Sequence, residues 1–476
     1  MLSKSSYLKG IQCPKLLWTY IHNKDKIPEP STSDLFRFDQ GTEVGELAKQ
    51  LFPEGINIPD KDFKENLELT KKALKKKKPL FEAGIGYNDL FSRADILVPI
   101  KDQWDIIEVK SSTEVKDVNL HDVSFQKHVY EKAGLKIRKC FLCHINKEFR
   151  KKGKIKPKEL LKLEDITKEV DLISVGIEKR IEDMLGIIVS KTCPKISLGP
   201  YCKDPYECAI DCQSELPDGN VLELYRIGKK GYALLDENIE LISELQDTYK
   251  LSDKQHIQKK CSKTKKPYIQ KESLRHFLKP ITEPIYFLDF ETFATAIPIY
   301  DNTKPYQNIP FQFSLHIKDK SLKHISFLHK TKSDPRLQFL KELKKSLGDK
   351  GPIVVYNQSF EKGRLKELAE AYPKYEKWVE SVNNRMVDLL IPFRNFHYYH
   401  PKQKGSASIK VVLPAVTGKS YKDLDIASGG DASVSYYNVI FKKGKNKAKV
   451  MKDLEKYCGL DTVGMVWILE ELRKLV

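Results

Sequence analysis

The sequence predicts an α/β fold that is divided into an N-terminal domain, a connector and a C-terminal domain. Apolar runs rich in β-branched and aromatic residues alternate with amphipathic helical patterns, and the texture of the chain changes near residues 214 and 280. A chain of 476 residues is long enough for two or three domains, each with its own hydrophobic core. We therefore predict an α/β domain over 1–213, a partly helical connector over 214–279, and a domain built on a mixed sheet over 280–476.

The composition indicates a cytoplasmic protein that binds a polyanion. The formal net charge is +18, and lysines concentrate in runs such as "KKALKKKKP" and "RKKGKIKPK". Although each run is typical of a solvated surface, their sum favours nucleic acid as a partner. We find neither a signal-peptide core near the start nor an apolar segment long enough to cross a bilayer, so we expect no membrane partner.

The first candidate site lies in the stretch "SRADILVPIKDQWDIIEVKSS". Two apolar runs separated by "KDQ" predict a β-hairpin, in which Pro99 favours an edge or bulged position. Folding about residue 102 places Asp95 opposite roughly residue 109, near Glu108 and Lys110, and strand alternation puts the last two on one face. Two carboxylates suit Mg²⁺, and the lysine can position the attacking water. The alternative is an ordinary exposed hairpin with an ion pair.

A helical pattern follows the hairpin. In "FQKHVYEKAGL", Gln126 and Tyr130 share a helix face at i, i+4. Such a pair is able to contact a phosphate or a base, and it is equally able to serve packing.

Together, "ADIL", "IIEVKSS" and "QKHVY" resemble the RecB-like PD-(D/E)XK nucleases, whose motifs run D, E-x-K and then Q-x-x-x-Y. The resemblance implies a restriction-endonuclease-like fold and Mg²⁺ or Mn²⁺ as cofactor, with Asp95 and Glu108 as metal ligands. The catalytic residues that it implies are Asp95, Glu108, Lys110, Gln126 and Tyr130.

The chain departs from this family at one position. The family often carries a histidine on an early helix as a further metal ligand, and in "GTEVGELAKQLF" Gly45 takes that place. The extra carboxylate is expected from Glu82, Glu43 or Glu46. We rank Glu82 first because it sits on an apolar run just before the hairpin.

The stretch "GPYCKDPYECAIDC" places Cys202, Cys208 and Cys212 close together in a cysteine-poor chain. Without an export signal, clustered cysteines are reduced thiols or metal ligands rather than disulfides. The spacing C-x5-C-x3-C lacks the C-x2-C pair that is usual in zinc ribbons. Three thiolates therefore predict a metal and require a fourth ligand.

A subset of RecB-like nucleases binds an iron–sulfur cluster through one cysteine before the nuclease core and three after it, and this sequence looks similar. The resemblance assigns Cys13 in "GIQCPKLLW" as the fourth ligand of a [4Fe-4S] cluster that joins the two ends of the domain. A structural Zn²⁺ site is the alternative. Cys193 competes as a ligand, and the resemblance places it outside the cluster. We expect ordinary buried or surface roles for the remaining cysteines, Cys140, Cys143, Cys261 and Cys458.

The second candidate site begins in "IYFLDFETF", an apolar strand that carries Asp289 and Glu291 on one face. Because unpaired buried carboxylates are costly, a cation is the simplest remedy. Near the C-terminus, "DLEKYCGLDTVGMVWILEEL" predicts an amphipathic helix with Tyr457 and Asp461 at i, i+4. The alternative for this helix is a turn with surface acids.

These two motifs together resemble the DEDDy branch of the DnaQ-like 3′ to 5′ exonucleases, which have an RNase H-like fold. The resemblance implies two metal ions held by Asp289, Glu291 and Asp461, with Tyr457 orienting the water. In "VVYNQSFEKGRL", Glu361 stands where the family has an aspartate, so we include it as a ligand. Asp388 in "RMVDLL" matches an accessory acidic position of some relatives.

The whole arrangement resembles a bacterial family known mainly as a domain of unknown function. We expect a metal-dependent nuclease that hydrolyses phosphodiester bonds in DNA, with two active sites and exonucleolytic action on single strands or ends. An RNA exonuclease is one alternative. A non-catalytic nucleic-acid-binding scaffold with decayed sites is another. A further interpretation makes one site active, and we then favour the exonuclease-like site.

Overall fold

The computed structural model describes residues 1–60, 62–422, 424–426, 428–442 and 444–476. It is a mixed α/β structure, as the sequence predicts, and it divides into two compact units. The first unit comprises Met1–Glu215 and Thr295–Tyr306, and the second comprises Leu216–Ala294 and Gln307–Val476. The expected connector thus falls almost wholly within the second unit, and a short stretch from the C-terminal half belongs to the first.

The first unit is built from short helices around one sheet. Its strands are β1 (Leu2–Ser3), β2 (Ile56–Asn57), β3 (Leu80–Tyr87), β4 (Leu90–Ile100), β5 (Gln103–Val109), β6 (Ile137–Ile145) and β7 (Leu161–Asp165). Its helices are α1 (Lys4–Gln12), α2 (Pro14–His22), α3 (Thr32–Lys49), α4 (Phe63–Leu74), α5 (Asp117–Lys132), α6 (Pro157–Leu160), α7 (Thr167–Ile173) and α8 (Ile177–Val189).

The sheet of the first unit has seven strands in the order β2-β3-β4-β5-β6-β7, with β1 pairing in parallel beside β4. Strands β3, β4 and β5 form an antiparallel meander, and the chain then crosses through α5 to pair β6 in parallel with β5. Parallel neighbours require such a crossover. The end of β5 and the start of α5 are therefore brought to the same edge of the sheet.

The predicted hairpin is confirmed as β4 and β5. Because Ile96 pairs with Ile107, the register extends to place Asp95 opposite Glu108, one residue from the expected position. Strand β3 pairs with β4 only as far as Leu97. Pro99 therefore lies beyond the part of β4 that has β3 as a neighbour, where a missing N–H is tolerated.

Helix α5 is fixed to the sheet by a fully buried tyrosine. The Tyr130 hydroxyl donates to the carbonyl of Ala83 on β3 at 2.6 Å and accepts the N–H of Ala94 on β4 at 2.8 Å. On the same helix, Phe125 stacks on Tyr7 of α1 with ring centroids 4.7 Å apart. These contacts hold α5 in one position against the strands that carry the candidate site.

The second unit contains the longest helix of the described chain. Its strands are β8 (Tyr268–Ile269), β9 (Ile285–Phe293), β10 (Ile309–Lys318), β11 (Leu322–Leu328), β12 (Ile353–Val355), β13 (Met386–Asp388) and β14 (Tyr398–Tyr399). Its helices are α9 (Lys229–Asp236), α10 (Asp253–Thr264), α11 (Lys271–Leu278), α12 (Arg336–Ser346), α13 (Gln358–Ala371), α14 (Glu376–Asn384), α15 (Ile391–Arg394), α16 (Ile409–Thr417), α17 (Gly429–Phe441) and α18 (Lys447–Lys474).

Five strands of the second unit form a mixed sheet in the order β11-β10-β9-β12-β13. Strands β9, β10 and β11 are antiparallel, and β12 and β13 continue the sheet in parallel with β9. Strand β9 is central, and its side chains alternate between two environments. Leu288 and Phe290 pack into a core with Phe339 of α12, whereas Asp289 and Glu291 point to the face on which α18 packs.

The expected connector has a small core of its own within the second unit. Val221, Leu224, Leu234, Ile242 and Leu245 pack together there. The stretch that the sequence predicted as helical forms α10 and α11, with β8 between them.

Within the described ranges, every helix is too short or too polar to pass through a bilayer.

We predict that Tyr130→Phe lowers the free energy of unfolding by about 1–3 kcal/mol, because it leaves a buried N–H and a buried carbonyl without a partner. Denaturant unfolding followed by circular dichroism measures this change. Tyr87→Phe, at an exposed position at the end of β3, is the matched control and should shift the transition by less than about 0.5 kcal/mol. Equal shifts in the two variants would contradict the role assigned to the Tyr130 hydroxyl.

Candidate active sites

A cleft of about 740 Å³ opens in the first unit where the β4–β5 hairpin ends. One wall is one face of α3. The residues of α3 that line the cleft recur three or four positions apart in the chain. Helix α3 begins with a capping box between Ser31 and Asp34, which fixes where this face starts. The opposite wall carries four of the predicted site residues, namely Glu82, Asp95, Glu108 and Lys110.

Glu108 is the centre of the first cleft, and its side chain is 1% exposed. Lys4 Nζ lies 3.0 and 3.1 Å from its two carboxylate oxygens, and Lys110 Nζ lies 2.6 Å from Oε1. Gln126 donates its Nε2 to Glu108 Oε2 at 2.7 Å. The carboxylate is therefore held by two cations and an amide.

Asp122 of α5 completes this network. It accepts from Lys110 at 2.8 Å and from Gln126 at 3.0 Å, and it lies 3.5 Å from Lys4 Nζ. Two buried carboxylates and two lysines thus balance in charge. Burial, together with Asp122 and Asp95, raises the pKa of Glu108. Burial also opposes ionisation of Asp122, but Lys110 and Lys4 outweigh it and hold the pKa of Asp122 well below its usual range.

The other acids of the first cleft are also engaged. Asp95 accepts the N–H of Val109 at 2.7 Å, which fixes its carboxylate against β5. Glu82 lies 3.5 Å from Lys49 and 3.3 Å from Arg93. Glu108 and Glu82 therefore have basic side chains beside them, whereas Asp95 is held by a backbone N–H.

The remaining candidates on α3 differ in position. Glu46 lines the cleft and pairs with Lys49, whereas Glu43 accepts from Gln40 at 3.1 Å and lies outside the lining. Gly45 lines the cleft, and a Cβ built there meets no atom of the described structure within 4 Å. At Gly45, where the family has a histidine, this wall of the cleft is therefore open.

Sequence reasoning treated Gln126 and Tyr130 as a pair, and the structure separates them. Gln126 contacts Glu108, while the Tyr130 hydroxyl is bound to backbone in the sheet. Reasoning from sequence missed Lys4 and Asp122. Asp122 was detectable, because it lies four residues before Gln126 on one helix face. Lys4 carried no local signal, since it reaches the site only through the pairing of β1 with β4.

The four cysteines assigned to the cluster line one small cavity of the first unit: Cys13, Cys202, Cys208 and Cys212. Cys193 is not among the lining residues. Cys13 lies between α1 and α2, and Gln12 beside it donates to the carbonyls of Tyr201 and Tyr206 at 3.0 and 2.7 Å. Burial raises the pKa of Cys13 and Cys208, and the neighbouring thiols add to the shift in both.

Four cysteines around one cavity supply the thiolates that either a [4Fe-4S] cluster or a structural Zn²⁺ ion would take as ligands.

A second cleft of about 500 Å³ opens in the second unit beside the mixed sheet. It is lined by all five residues that the sequence assigned to this site. Asp289 and Glu291 come from β9, Glu361 from the first turn of α13, and Tyr457 and Asp461 from α18.

The start of α13 is set by a buried acid. Asn357 precedes the helix with φ of 76°, and its N–H donates to Asp388 at 2.8 Å. The N–H of Leu390 donates to the same Asp388 oxygen at 3.0 Å. Asp388, an accessory candidate, lies outside the lining of the cleft and instead positions the helix that carries Glu361.

Burial raises the pKa of all four carboxylates of the second cleft. Burial and then the neighbouring acids hold the pKa values of Asp289 and Glu291 well above their usual range. Burial, with a contribution from Asp388, raises the pKa of Glu361 to about 8. Burial also raises the pKa of Asp461 to about 6.

The second cleft lacks the compensation found in the first. Among the described residues that line it there is no lysine or arginine. Lys410 acts from outside the lining and lowers the pKa of both Glu291 and Asp461. Glu361 Oε2 is buried without a hydrogen-bond partner. An excess of buried oxygen ligands fits a hard divalent cation such as Mg²⁺ or Mn²⁺.

Two tyrosines surround Asp461. Tyr421 donates its hydroxyl to Asp461 Oδ1 at 2.6 Å, and the rings of Tyr421 and Tyr457 lie 6.3 Å apart. Lys410 Nζ lies 5.7 Å from the centroid of the Tyr457 ring. Sequence reasoning missed both Tyr421 and Lys410, because neither falls in a motif with a fixed spacing to Asp461.

Cys458 also belongs to this site. Its Sγ lies 3.5 Å from Asp289 Oδ2, and one ligand atom each of Asp289, Glu291 and Cys458 all lie within 4.8 Å of one another. The sequence offered a signal, since Cys458 directly follows Tyr457. Cys140, Cys143 and Cys261 are buried, in agreement with the ordinary roles expected for them.

We predict that the metal-free second unit loses stability as the pH rises from about 4 to about 8. Carboxyls with a raised folded pKa keep protons that the unfolded chain releases, so their contribution is present at low pH and lost above the folded pKa. The slope is up to about 1.4 kcal/mol per pH unit for each such group. Unfolding in EDTA across this range measures it.

Two controls belong to that experiment. Addition of Mg²⁺ or Mn²⁺ should restore stability more at pH 8 than at pH 5, because the ionised carboxylates bind the cation. Glu361→Gln should flatten the slope in EDTA. If the slope of stability against pH were unchanged in this variant, Glu361 would not be one of the groups that titrate.

For the first unit, we predict that Lys4→Met lowers the free energy of unfolding by about 3–5 kcal/mol, because it leaves Glu108 and Asp122 with one lysine. The double variant Lys4→Met, Glu108→Gln should lose less than the sum of the single changes. Exposed Lys72→Met is the control. If the two single losses in the free energy of unfolding added up to the loss in the double variant, Lys4 and Glu108 would not be energetically coupled.

Comparison with known proteins adds a family and several relatives. Residues 286–408 match a family described as a domain of unknown function, DUF2779. The match includes Asp289, Glu291 and Glu361 and ends before Tyr457 and Asp461. It covers the central strand of the second unit and much of the second cleft.

Three relatives come from small bacteria. The chain is 28% identical over 232 residues to uncharacterized protein UU173 of Ureaplasma parvum, covering 42% of this chain and 32% of that protein. It is 27% identical over 209 residues to the uncharacterized MG366 homolog of Mycoplasma pneumoniae, covering 39% and 31%. It is 28% identical over 223 residues to uncharacterized protein MG366 of Mycoplasma genitalium, covering 40% and 32%. The matched part thus spans about a third of each relative, and the chain is similar to proteins whose names state no activity.

Proposed function

We propose that the protein is a metal-dependent nuclease that hydrolyses phosphodiester bonds in DNA, with the second cleft as its principal active site. The observation that carries the proposal is the convergence of three buried carboxylates and the half-buried Asp289, each with a raised pKa, on a cleft whose described lining contains no basic side chain. For electrostatic reasons, such a site strongly favours the binding of divalent cations.

The architecture of the second unit supports an RNase H-like, DEDDy exonuclease interpretation. Three antiparallel strands are continued by two parallel ones, and the acids lie on the central strand and on a late helix that packs against it. The motif order of the sequence and the shared cleft agree with this assignment. End-directed cleavage of single strands is the activity that follows.

Each residue of the second cleft has a separate role in this proposal. Asp289, Glu291, Glu361 and Asp461 would hold Mg²⁺ or Mn²⁺, which supplies charge stabilisation for an in-line displacement at phosphorus. Tyr457 orients the attacking water. Tyr421 holds Asp461 through its 2.6 Å hydrogen bond, so that this ligand keeps one orientation.

The residues of the first cleft support the interpretation of the first unit as a RecB-like nuclease. We propose that its activity is secondary to that of the second cleft. Its motif residues Asp95, Glu108 and Lys110 line one cavity. Lys4 and Lys110 already neutralise Glu108 and Asp122, so a metal there competes with two ammonium groups. We therefore assign the main activity to the second cleft.

We also propose that Cys13, Cys202, Cys208 and Cys212 hold a [4Fe-4S] cluster, with structural Zn²⁺ as the alternative. Their shared cavity supports this proposal. The net charge of +18 favours a polyanion, and DNA is the polymer that we propose.

We predict that Asp289→Asn lowers Mg²⁺-dependent cleavage of end-labelled single-stranded DNA by at least about 10³-fold, because it removes a shared metal ligand worth several kcal/mol to the transition state. Lys110→Ala should retain most of the activity. Asp319→Asn, at an exposed position between β10 and β11, is the matched control. Anaerobically purified protein is used throughout.

The outcomes separate the alternatives. Loss in Lys110→Ala with retention in Asp289→Asn would move the activity to the first cleft. Cleavage of RNA without cleavage of DNA would establish an RNA exonuclease. Binding of both polymers without cleavage under Mg²⁺ or Mn²⁺ would refute the nuclease proposal in favour of the scaffold.

A further inference from the structure

We propose that Asp289, Glu291 and Cys458 form a binding site for Zn²⁺, and that zinc held there inhibits the enzyme. The binding part stands on the geometry alone, and the inhibition rests on the proposed nuclease function.

The three side chains come from two regular elements that pack against each other. Asp289 and Glu291 share one face of β9, and Cys458 lies on α18. Their nearest ligand atoms fall within 4.8 Å of one another, and the Cys458 sulfur is 3.5 Å from Asp289 Oδ2. Ligand atoms of a tetrahedral zinc ion are separated by about 3.3–3.8 Å. The trio is close to that spacing, and a bound zinc ion would draw its ligand atoms together by up to about 1.5 Å.

The donor set distinguishes zinc from magnesium. Mg²⁺ requires oxygen ligands and near-octahedral geometry, whereas Zn²⁺ accepts mixed sulfur and oxygen donors in a tetrahedral site. A thiolate therefore adds affinity for zinc and none for magnesium. Two carboxylates with one thiolate form a three-ligand zinc site within the same cleft.

A second observation points to a cation at this position. Glu361 lines the same cleft, its side chain is almost fully buried, and its Oε2 has no hydrogen-bond partner. A buried acceptor without a donor is the kind of group that a nearby cation stabilises.

Inhibition follows from competition for the same ligands. Zinc bound by Cys458 also occupies Asp289 and Glu291, the two strand residues that the proposed mechanism needs for Mg²⁺. The Cys458 thiol gives the site a ligand that zinc uses and magnesium does not.

The binding test uses full-length protein and Co²⁺ as a spectroscopic probe of the zinc site. Wild type, Cys458→Ser, Cys458→Ala and the control Cys261→Ser are titrated with Co²⁺, and the thiolate-to-cobalt charge-transfer band is recorded. Cys261 is also buried and lies in the second unit, on α10. The cluster cysteines give the same background in all four proteins.

We expect both Cys458 variants to lose part of the band and to bind one equivalent less of Zn²⁺ in competition with a chromogenic chelator. The Cys261 variant should match wild type. Two substitutions at Cys458 are used because serine buries a hydroxyl and alanine leaves a gap, and thermal unfolding checks that each protein is folded. Identical cobalt spectra and zinc stoichiometry in wild type and both Cys458 variants would overturn the inference.

The inhibition test follows cleavage of single-stranded DNA at fixed Mg²⁺, with each protein compared with its own zinc-free rate. The zinc concentration for half-inhibition should rise at least about tenfold in the Cys458 variants, because even outer-shell changes alter metal affinity by 10–100-fold. Equal zinc sensitivity in active wild type and variants would overturn the inference and leave the nuclease function standing. Cobalt binding that depends on Cys458 in a protein that cuts nothing would support the site and defeat the proposed function.

Discussion

The crowding of carboxylates in the second cleft is the constraint on which the rest of the second unit depends. Strand β9 alternates between a hydrophobic core and an acidic face, and α18 covers that face with a further carboxylate. Carboxylates removed from water repel one another strongly and bear a desolvation cost, as their raised pKa values express. The fold tolerates this arrangement without a basic side chain among the described lining residues, which is the reason to assign a cation to it.

The first unit meets the same problem in another way. There, Lys4 and Lys110 stand beside Glu108 and Asp122, so the buried charges cancel within the protein. A neutral network of this kind is stable without a metal, and it must be rearranged before its carboxylates are free to bind one. Both clefts contain acidic motifs. Because basic side chains are among the described lining residues only in the first cleft, we expect the second cleft to bind a cation more strongly.

Most of the predictions made from the sequence depend on local patterns of residues. The hairpin of β4 and β5, the acidic strand β9 and the long helix α18 each depend on residues close in the chain, and alternation or helical spacing reveals them. The missed residues act over long separations. Lys4 contacts Glu108 from 104 positions away, and Tyr421 contacts Asp461 from 40. Only the pairing of β1 and the fold of the second unit create these contacts, so no spacing rule predicts them.

The glutamate at position 361 is explained by how the second cleft is built. Asp289, Glu291 and Asp461 come from the middle of a strand and of a long helix, which hold them with little freedom. Glu361 comes from the first turn of α13, where the helix N-terminus favours negative charge and where Asp388 fixes the preceding backbone. Its longer side chain places an unpartnered oxygen in the cleft from this anchored start. Glu361 therefore preserves the charge of the site, and the torsion that it has beyond an aspartate allows the geometry to adjust around a bound cation.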